Sequence, residues 1–224
     1  EAEVSRVWNG RVQRVALSDD PREPGTPAPD WVAQLQGQSI ELASQGLKLT
    51  NPLEGRHNAR NFLLALAAAQ ELGVTAEQLR DLSVSLPGGR ARRLSINGVS
   101  VLDETYNASP EAMLASLELL KQQPGGHRYA VVGTMLELGD QSLSLHRQVG
   151  EKATALGLDG LVVVASEPEA SAVMQGAAGL SKLVCVASPE AAAEPLKQWL
   201  RPGDHVLLKA SRGIALERLI PLLS

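Results

Sequence analysis

Lys209 closes the apolar run HVLLKA (205–210), at a strand end that lies close to buried surface. A buried ammonium without a partner costs several kcal/mol, so Lys209 needs an anion, either Asp/Glu or a ligand. Ser211 and Arg212 follow directly. Their SRG segment reads as the start of the last helix, whose N–H groups would also favour anions. A second polar cluster, ETYNAS (104–109), ends the run VSVLD (99–103), before Ser109 and Pro110 open a helix as N-cap and first helical position. Glu104 and Tyr106 carry groups that bind ribose or peptide; Asn107 could do the same or form an Asx turn. The third polar loop, TMLELGDQS (134–142), follows RYAVVG (128–133). Any one such loop is as readily polar through solvation alone. Beside them, SEPEA and SPEAA need only cap helices, and that asymmetry points to one functional region of a sheet edge.

Two amides raise a parallel case. Asn58 and Asn61, in GRHNARN, stand three apart and share one helical face. An amide presents donor and acceptor together, so the pair could read a purine edge. Spacing alone favours the plainer reading, with Asn58 capping the helix and Asn61 exposed. His57 and His146, each standing alone, read as structural. No two histidines and a carboxylate show metal-ligand spacing, so no protein-held metal is expected. No G-x-S-x-G or Cys–His arrangement suggests covalent catalysis, and no G-x-x-x-x-G-K-[ST] supplies a Walker phosphate cradle.

The whole chain sets further bounds. Its 224 residues can bury a real core, and Lys+Arg 21 against Asp+Glu 25 leaves a net charge of −4. That balance argues against a nucleic-acid partner or a polybasic membrane surface. The one cysteine, Cys185, lies in the apolar run KLVCVA and reads as a buried, inert thiol; disulfide frameworks are excluded. Apolar runs fall short of a membrane span and no signal-peptide pattern opens the chain, so a cytoplasmic location is expected. The chain begins at Glu1, as if within a sheet, and is expected to be a piece of something longer.

Certain elements must position these residues. SRVWNGRVQRVAL (5–17) alternates about Asn9-Gly10, a hairpin signal, and the proline-rich 19–30 is a loop. SIELASQGLKLTNPLEG supplies two short strands. RHNARNFLLALAAAQELG (56–73) is a buried helix stopped by Gly73, and a second helix starts at Thr75 with Gln78 completing a capping box. SLPGGRARR (85–93) is the domain boundary, where Gly88-Gly89 can absorb rotation. Beyond it, a hairpin turned by Asn97-Gly98 leads into strands 128–133, 160–165, 182–187 and 205–210, each trailed by a helix. The fold class is therefore α/β: a doubly wound, mostly parallel sheet with right-handed connections over 90–224, preceded by part of another domain over 1–89.

Read in order, these segments resemble the Mur ligases, ATP-dependent amide ligases of peptidoglycan synthesis. The resemblance runs from about Leu53 to the C-terminus. GRHNARNFLLALAAA is similar to the family's G-x-H-N-x-x-N-x-x-A-A helix, and GGRARR to the G-R that opens its C-terminal domain. LDETYNASPEAM, VVGTMLELGDQSLSLH and LLKASRGIALE resemble D-D-x-Y-N-A-x-P-x-S-M, G-D-M-x-E-L-G…H and K-G-S-R. Tyr-Asn-Ala with Glu-Leu-Gly points to the branch that adds D-Ala-D-Ala.

The resemblance implies a Rossmann-like C-terminal domain after the tail of the central ATPase domain, with ATP held between two such domains and the Walker half absent here. It implies that Asn58 and Asn61 contact adenine, which reverses the reading from spacing. Arg90 would reach the phosphates or ribose of ATP, and Glu104 the ribose hydroxyls, with Tyr106 and Asn107 lining the cleft. Lys209, Ser211 and Arg212 would face the dipeptide or the reacting phosphoryl group, with Lys209 and Arg90 in the catalytic role. His57, Glu137 and His146 match signature positions without an assigned role. The chain departs from the pattern at Glu104 (Asp in the family), Thr134 (Asp) and Ala210 (Gly).

The implied reaction moves the γ-phosphoryl group of ATP to the carboxylate of UDP-muramoyl-tripeptide. The amine of D-Ala-D-Ala then attacks the acyl phosphate, with Mg²⁺ bound mainly through ATP. The chain alone is expected to bind ATP weakly and turn over nothing, and the enzyme to act as a monomer. Two alternatives stay open: another ligase branch such as the folylpolyglutamate synthases, or a non-catalytic nucleotide-binding module.

Overall fold

The computed structural model describes residues 8–22, 24–79, 85 and 88–224. The chain divides into two compact units, Glu1–Val84 and Ser85–Ser224; Leu86 and Pro87 of the expected boundary lie outside the described residues.

The N-terminal unit is a four-stranded sheet backed by one helix. Its strands are β1 (Val15–Leu17), β2 (Trp31–Gln36), β3 (Ser39–Leu42) and β4 (Leu47–Thr50), adjacent in chain order. β1 pairs parallel with β2, and the other pairs are antiparallel. Helix α1 (Arg56–Glu71) buries Ala59, Phe62, Leu63, Leu66 and Ala67. That spacing is one apolar helical stripe, and it packs on Leu17, Trp31, Ala33, Ile40, Leu42 and Leu49. Gly73, at φ +85°, follows the helix end as expected.

Three local expectations change here. The Asn9-Gly10 hairpin is not formed: residues 5–7 lie outside the described set and 8–14 form no strand. Instead Val15–Leu17 takes a parallel partner in Trp31–Ala33, held by Trp31 N–H to Arg14 O (3.0 Å) and Arg14 N–H to Asp30 Oδ2 (2.8 Å). Non-local pairing outweighs the local turn signal, and β2 is a strand that sequence reading missed. The Thr75–Gln78 capping box does form, with Thr75 N–H on Gln78 Oε1 at 2.8 Å, but it opens a 3₁₀ turn, Ala76–Leu79. Residues 80–84 lie outside the described set.

The start of α1 is pinned by charge. Arg56 pairs with Asp19 (2.6 Å) and Asp20 (2.9 Å), and Arg60 Nε donates to Asp20 Oδ2 at 3.0 Å. Hydrogen bonding from Arg60 is the main cause that lowers the Asp20 carboxyl to about 2, against partial burial.

The C-terminal unit is a six-stranded sheet. Its strands are β5 (Arg92–Ile96), β6 (Val99–Glu104), β7 (Arg128–Gly133), β8 (Gly160–Val164), β9 (Leu183–Val186) and β10 (His205–Lys209), in the order β5-β6-β10-β7-β8-β9. Only β5 is antiparallel, through a hairpin whose Asn97 and Gly98 both have positive φ, as a type I′ turn requires. Strand alternation sends Ala130 and Val132 to one face and Tyr129 and Val131 to the other. Helices α2 (Pro110–Lys121), α3 (Ser142–Ala155) and α4 (Glu169–Gly176) contribute Leu117, Val149 and Val173 to the first face. Helix α5 (Ala193–Trp199) and the C-terminal 3₁₀ segment cover the second with Leu196, Leu216 and Leu219. The doubly wound, mostly parallel architecture is as read.

Helices α3 and α4 approach at two glycines. A Cβ on Gly150 would stand 2.2 Å from Val173 O, and one on Gly176 2.2 Å from Arg147 O. The expected last α-helix is instead a 3₁₀ turn, Arg212–Ile214, then a left-handed Ala215 and 3₁₀ turns over Leu216–Leu223, where Pro221 lacks an N–H. Cys185 is exposed, not buried, because β9 is an edge strand; its thiol is pushed up by partial burial and then by the Glu167 charge, so it stays protonated at neutral pH.

Asp20→Asn is expected to destabilise the chain by about 1–2 kcal/mol at pH 7 in urea unfolding. A carboxyl lowered on folding stabilises above 3.8 and loses that contribution as pH falls toward 2. The difference between wild type and variant must therefore narrow across that window; a pH-independent difference contradicts the ion-pair account. Gly150→Ala should cost about 1–3 kcal/mol through overpacking, and an unchanged urea midpoint contradicts the close helix approach.

Candidate functional site

The chain runs β6, β7, β8, β9 and then returns to insert β10 between β6 and β7. Strand order reverses there, so the crevice outside the C-terminal ends of β6, β10 and β7 is the topological switch point. Those three ends carry the three polar loops that composition singled out.

Lys209 stands in register with Glu104 of β6 and Val132 of β7. It is 3% exposed; its Nζ lies 3.5 Å from Glu104 Oε2 and donates to Asn107 O at 3.1 Å. The required anion is thus a carboxylate of the chain. Burial holds the ammonium below the ordinary lysine value, opposed by Glu104 and aided by the nearby Arg90 charge.

Ser211 is only 4% exposed. Its hydroxyl accepts from Leu136 N–H (3.0 Å) and donates to Ala108 O (3.4 Å), while its N–H donates to Thr134 O (3.2 Å). An open, ligand-facing hydroxyl was expected; the side chain instead ties the loops after β6 and β7 to the end of β10.

The exposed groups surround Tyr106. Arg90 places its guanidinium carbon 4.0 Å from the Tyr106 ring centroid, and Arg212 lies at 5.8 Å. Arg212 also pairs with Glu217 at 3.0 Å, whereas Arg90 makes no ion pair among the described residues. The backbone beneath is tightly specified. Gly89, at φ +78°, accepts Tyr106 N–H at 2.9 Å, and a Cβ there would stand 2.8 Å from Tyr106 N. Asp103, buried, accepts from Thr105 N–H (3.2 Å) and Oγ1 (2.7 Å). Gly89, Asp103 and Thr105 shape the site; sequence reasoning singled out Gly89 only as a point of rotation and passed over the part played by Asp103 and Thr105, for which an acid followed two residues later by threonine at a strand end was the available signal.

His146 is structural: Nδ1 donates to Ser142 O (2.7 Å) and Nε2 accepts Met135 N–H (2.9 Å), which fixes the neutral Nδ1–H tautomer. Glu137 is exposed in the same loop at φ +65°. Asn107 is exposed, and only its carbonyl meets Lys209. In the N-terminal unit, Gly55 is the N-cap of α1, so Asn58 is not the expected cap; its Nδ2 donates to Glu54 O at 2.6 Å. Asn61, one turn on, is exposed, and His57 lies in the same first turn.

Two exposed guanidiniums over an aromatic ring, one of them paired with Glu217, suit a phosphate anion and a flat group beside it. Among the described residues no cluster of three His, Cys, Asp or Glu could hold a metal ion, and no helix is long and apolar enough to cross a membrane.

Comparison with known proteins follows this geometry. A relative from Synechocystis sp. named UDP-N-acetylmuramoyl-tripeptide–D-alanyl-D-alanine ligase is 44% identical over 215 residues, 95% of this chain and 45% of the relative. The crystal structure of MurF ligase from Thermotoga maritima in complex with ADP superposes with a TM-score of 0.70 at 32% identity, over 88% of this chain and 46% of that one. MurF from Acinetobacter baumannii gives 0.73 at 30% identity, over 87% and 44%. The chain spans less than half the length of the curated relatives it matches. Residues 89–212 match the family model described as Mur ligase, glutamate ligase domain. With more than half of its residues in that match, the chain belongs to the Mur ligase family.

Proposed function

We propose that the protein carrying this chain is an ATP-dependent amide ligase of the cytoplasm that joins D-Ala-D-Ala to UDP-N-acetylmuramoyl-tripeptide. Residues 90–224 serve as its C-terminal domain and 1–89 as the tail of its central nucleotide-binding domain. The observation that carries this reading is the Arg90–Tyr106–Arg212 group beside the buried Lys209–Glu104 pair, at the switch point of the sheet. The names of the relatives and the ADP in the Thermotoga structure support it.

In this reading the γ-phosphoryl group passes to the tripeptide carboxylate, and the dipeptide amine attacks the acyl phosphate and releases phosphate. Negative charge gathers on the phosphoryl oxygens, where fixed cations stabilise the transition state. Arg90, exposed and with no ion pair among the described residues, can meet phosphate or ribose oxygens. Glu104 presents a carboxylate to ribose hydroxyls, with Tyr106 and Asn107 as walls. Arg212 and Lys209 serve the reacting phosphoryl group or the dipeptide carboxylate. Ser211 acts only through the loops it ties. Asn58 and Asn61 offer their amides to adenine. Mg²⁺, when bound mainly through ATP, would neutralise phosphate charge; among the described residues no cluster of three His, Cys, Asp or Glu could hold it.

Arg90→Ala in the intact ligase is expected to weaken ADP binding about tenfold in calorimetry, the worth of one charge-assisted hydrogen bond. Unchanged affinity would remove Arg90 from the nucleotide site. Lys209→Met should lower kcat about a hundredfold. Because burial lowers the Lys209 pKa, the alkaline limb of wild-type turnover should begin below 10.5, as the ammonium is lost early. Over the same interval the fold gains stability, since the unfolded chain binds more protons there. An alkaline limb unchanged in Lys209→Met assigns that loss to another group and contradicts the role.

A further inference from the structure

We infer that the C-terminal unit holds a second ligand site, at the end of its sheet away from Glu104 and Lys209, for a fatty-acid-like amphiphile with one carboxylate. A cavity of about 470 Å³ opens there, and Ile96, Val101, Leu196 and Leu200 line it together with the charged Lys197 and Arg201. Its size lies within the range of small-molecule sites, and mostly apolar walls with a few polar groups are their usual lining. Val99, another wall residue, begins β6 and Glu104 ends it, so the two sites lie about 17 Å apart along the strand.

The cations set the head group. Lys197 and Arg201 are both exposed and make no ion pair among the described residues. Arg201 gives one donor to Leu200 O (2.7 Å) and keeps the rest of its fork. Two acids lie nearest in sequence: Glu194, exposed one helical turn before Lys197, accepts from Gln198 Nε2 at 2.9 Å, and Asp204 is buried and engaged by His127 N–H and Arg201 N–H, each at 2.8 Å. One forked guanidinium and one ammonium match the two oxygens of a single carboxylate. The aliphatic walls take the chain, each buried methylene adding about 0.8 kcal/mol. Nothing in the proposed ligase chemistry uses these residues, so the site stands apart from that reading.

The test titrates sodium decanoate, below its micellar concentration, into the whole chain by calorimetry, with decyltrimethylammonium as the cationic control of equal tail length. Saturable binding of decanoate at one site is expected, with none for the cation. Lys197→Glu with Arg201→Glu, both exposed and so compatible with an unchanged melting temperature, should weaken decanoate by about tenfold or more. Ile96→Trp, at a half-buried strand position, should fill the hollow and abolish binding while ADP binding by the ligase is retained. Absence of saturable binding, equal binding of the cation, or full decanoate affinity in the charge-reversed or filled variant overturns the proposal.

Discussion

The end of β10 carries a constraint that much of the candidate site obeys. A lysine placed in a central strand, 3% exposed, must find charge and hydrogen-bond partners inside the protein. Lys209 finds them in the Glu104 carboxylate and the Asn107 carbonyl, both from the segment after β6. Two residues on, Ser211 makes three more links, to Ala108, Thr134 and Leu136. One short segment therefore fixes two loops that belong to different strands. Tyr106, between Glu104 and Asn107, is positioned as a consequence, and Arg90 and Arg212 lie over its ring.

This arrangement separates groups that hold the site from groups free to meet a ligand. Lys209, Ser211, Asp103 and His146 are buried, and their polar atoms are engaged within the chain. Arg90 is exposed and makes no ion pair among the described residues, and Arg212 is exposed and paired with the half-buried Glu217. The second set is open to a ligand, while the first holds it in place at low reorganisation cost; of the first, Lys209 alone is also proposed to act on the reacting groups.

The fold was legible where the signal was local. The runs RYAVVG, GLVVVA, KLVCVA and HVLLKA became β7 to β10 within a residue, and Asn97-Gly98 turned the hairpin its φ requirements foretell. The stripe of α1 was legible for the same reason. What failed depended on partners distant in sequence. Asn9-Gly10 lost to a parallel pairing with β2, itself a short strand whose glutamines disguise it. Cys185 sat in an apolar run, but a position at the sheet edge exposed it. For the site, residue types identified the three loops, while the insertion of β10 between β6 and β7, which makes them neighbours, is set by topology. Ser211 illustrates the limit: its sequence position suggests a ligand contact, and only its burial shows that it joins loops.

The most direct test is a double-mutant cycle on folding stability with Lys209→Met and Glu104→Gln. Residues in one buried ion pair should be coupled by about 1–3 kcal/mol. Coupling of that size supports Lys209 as the group that holds the β6 loop. Strict additivity, within about 0.3 kcal/mol, would mean the ammonium is satisfied elsewhere and the account of the site is wrong.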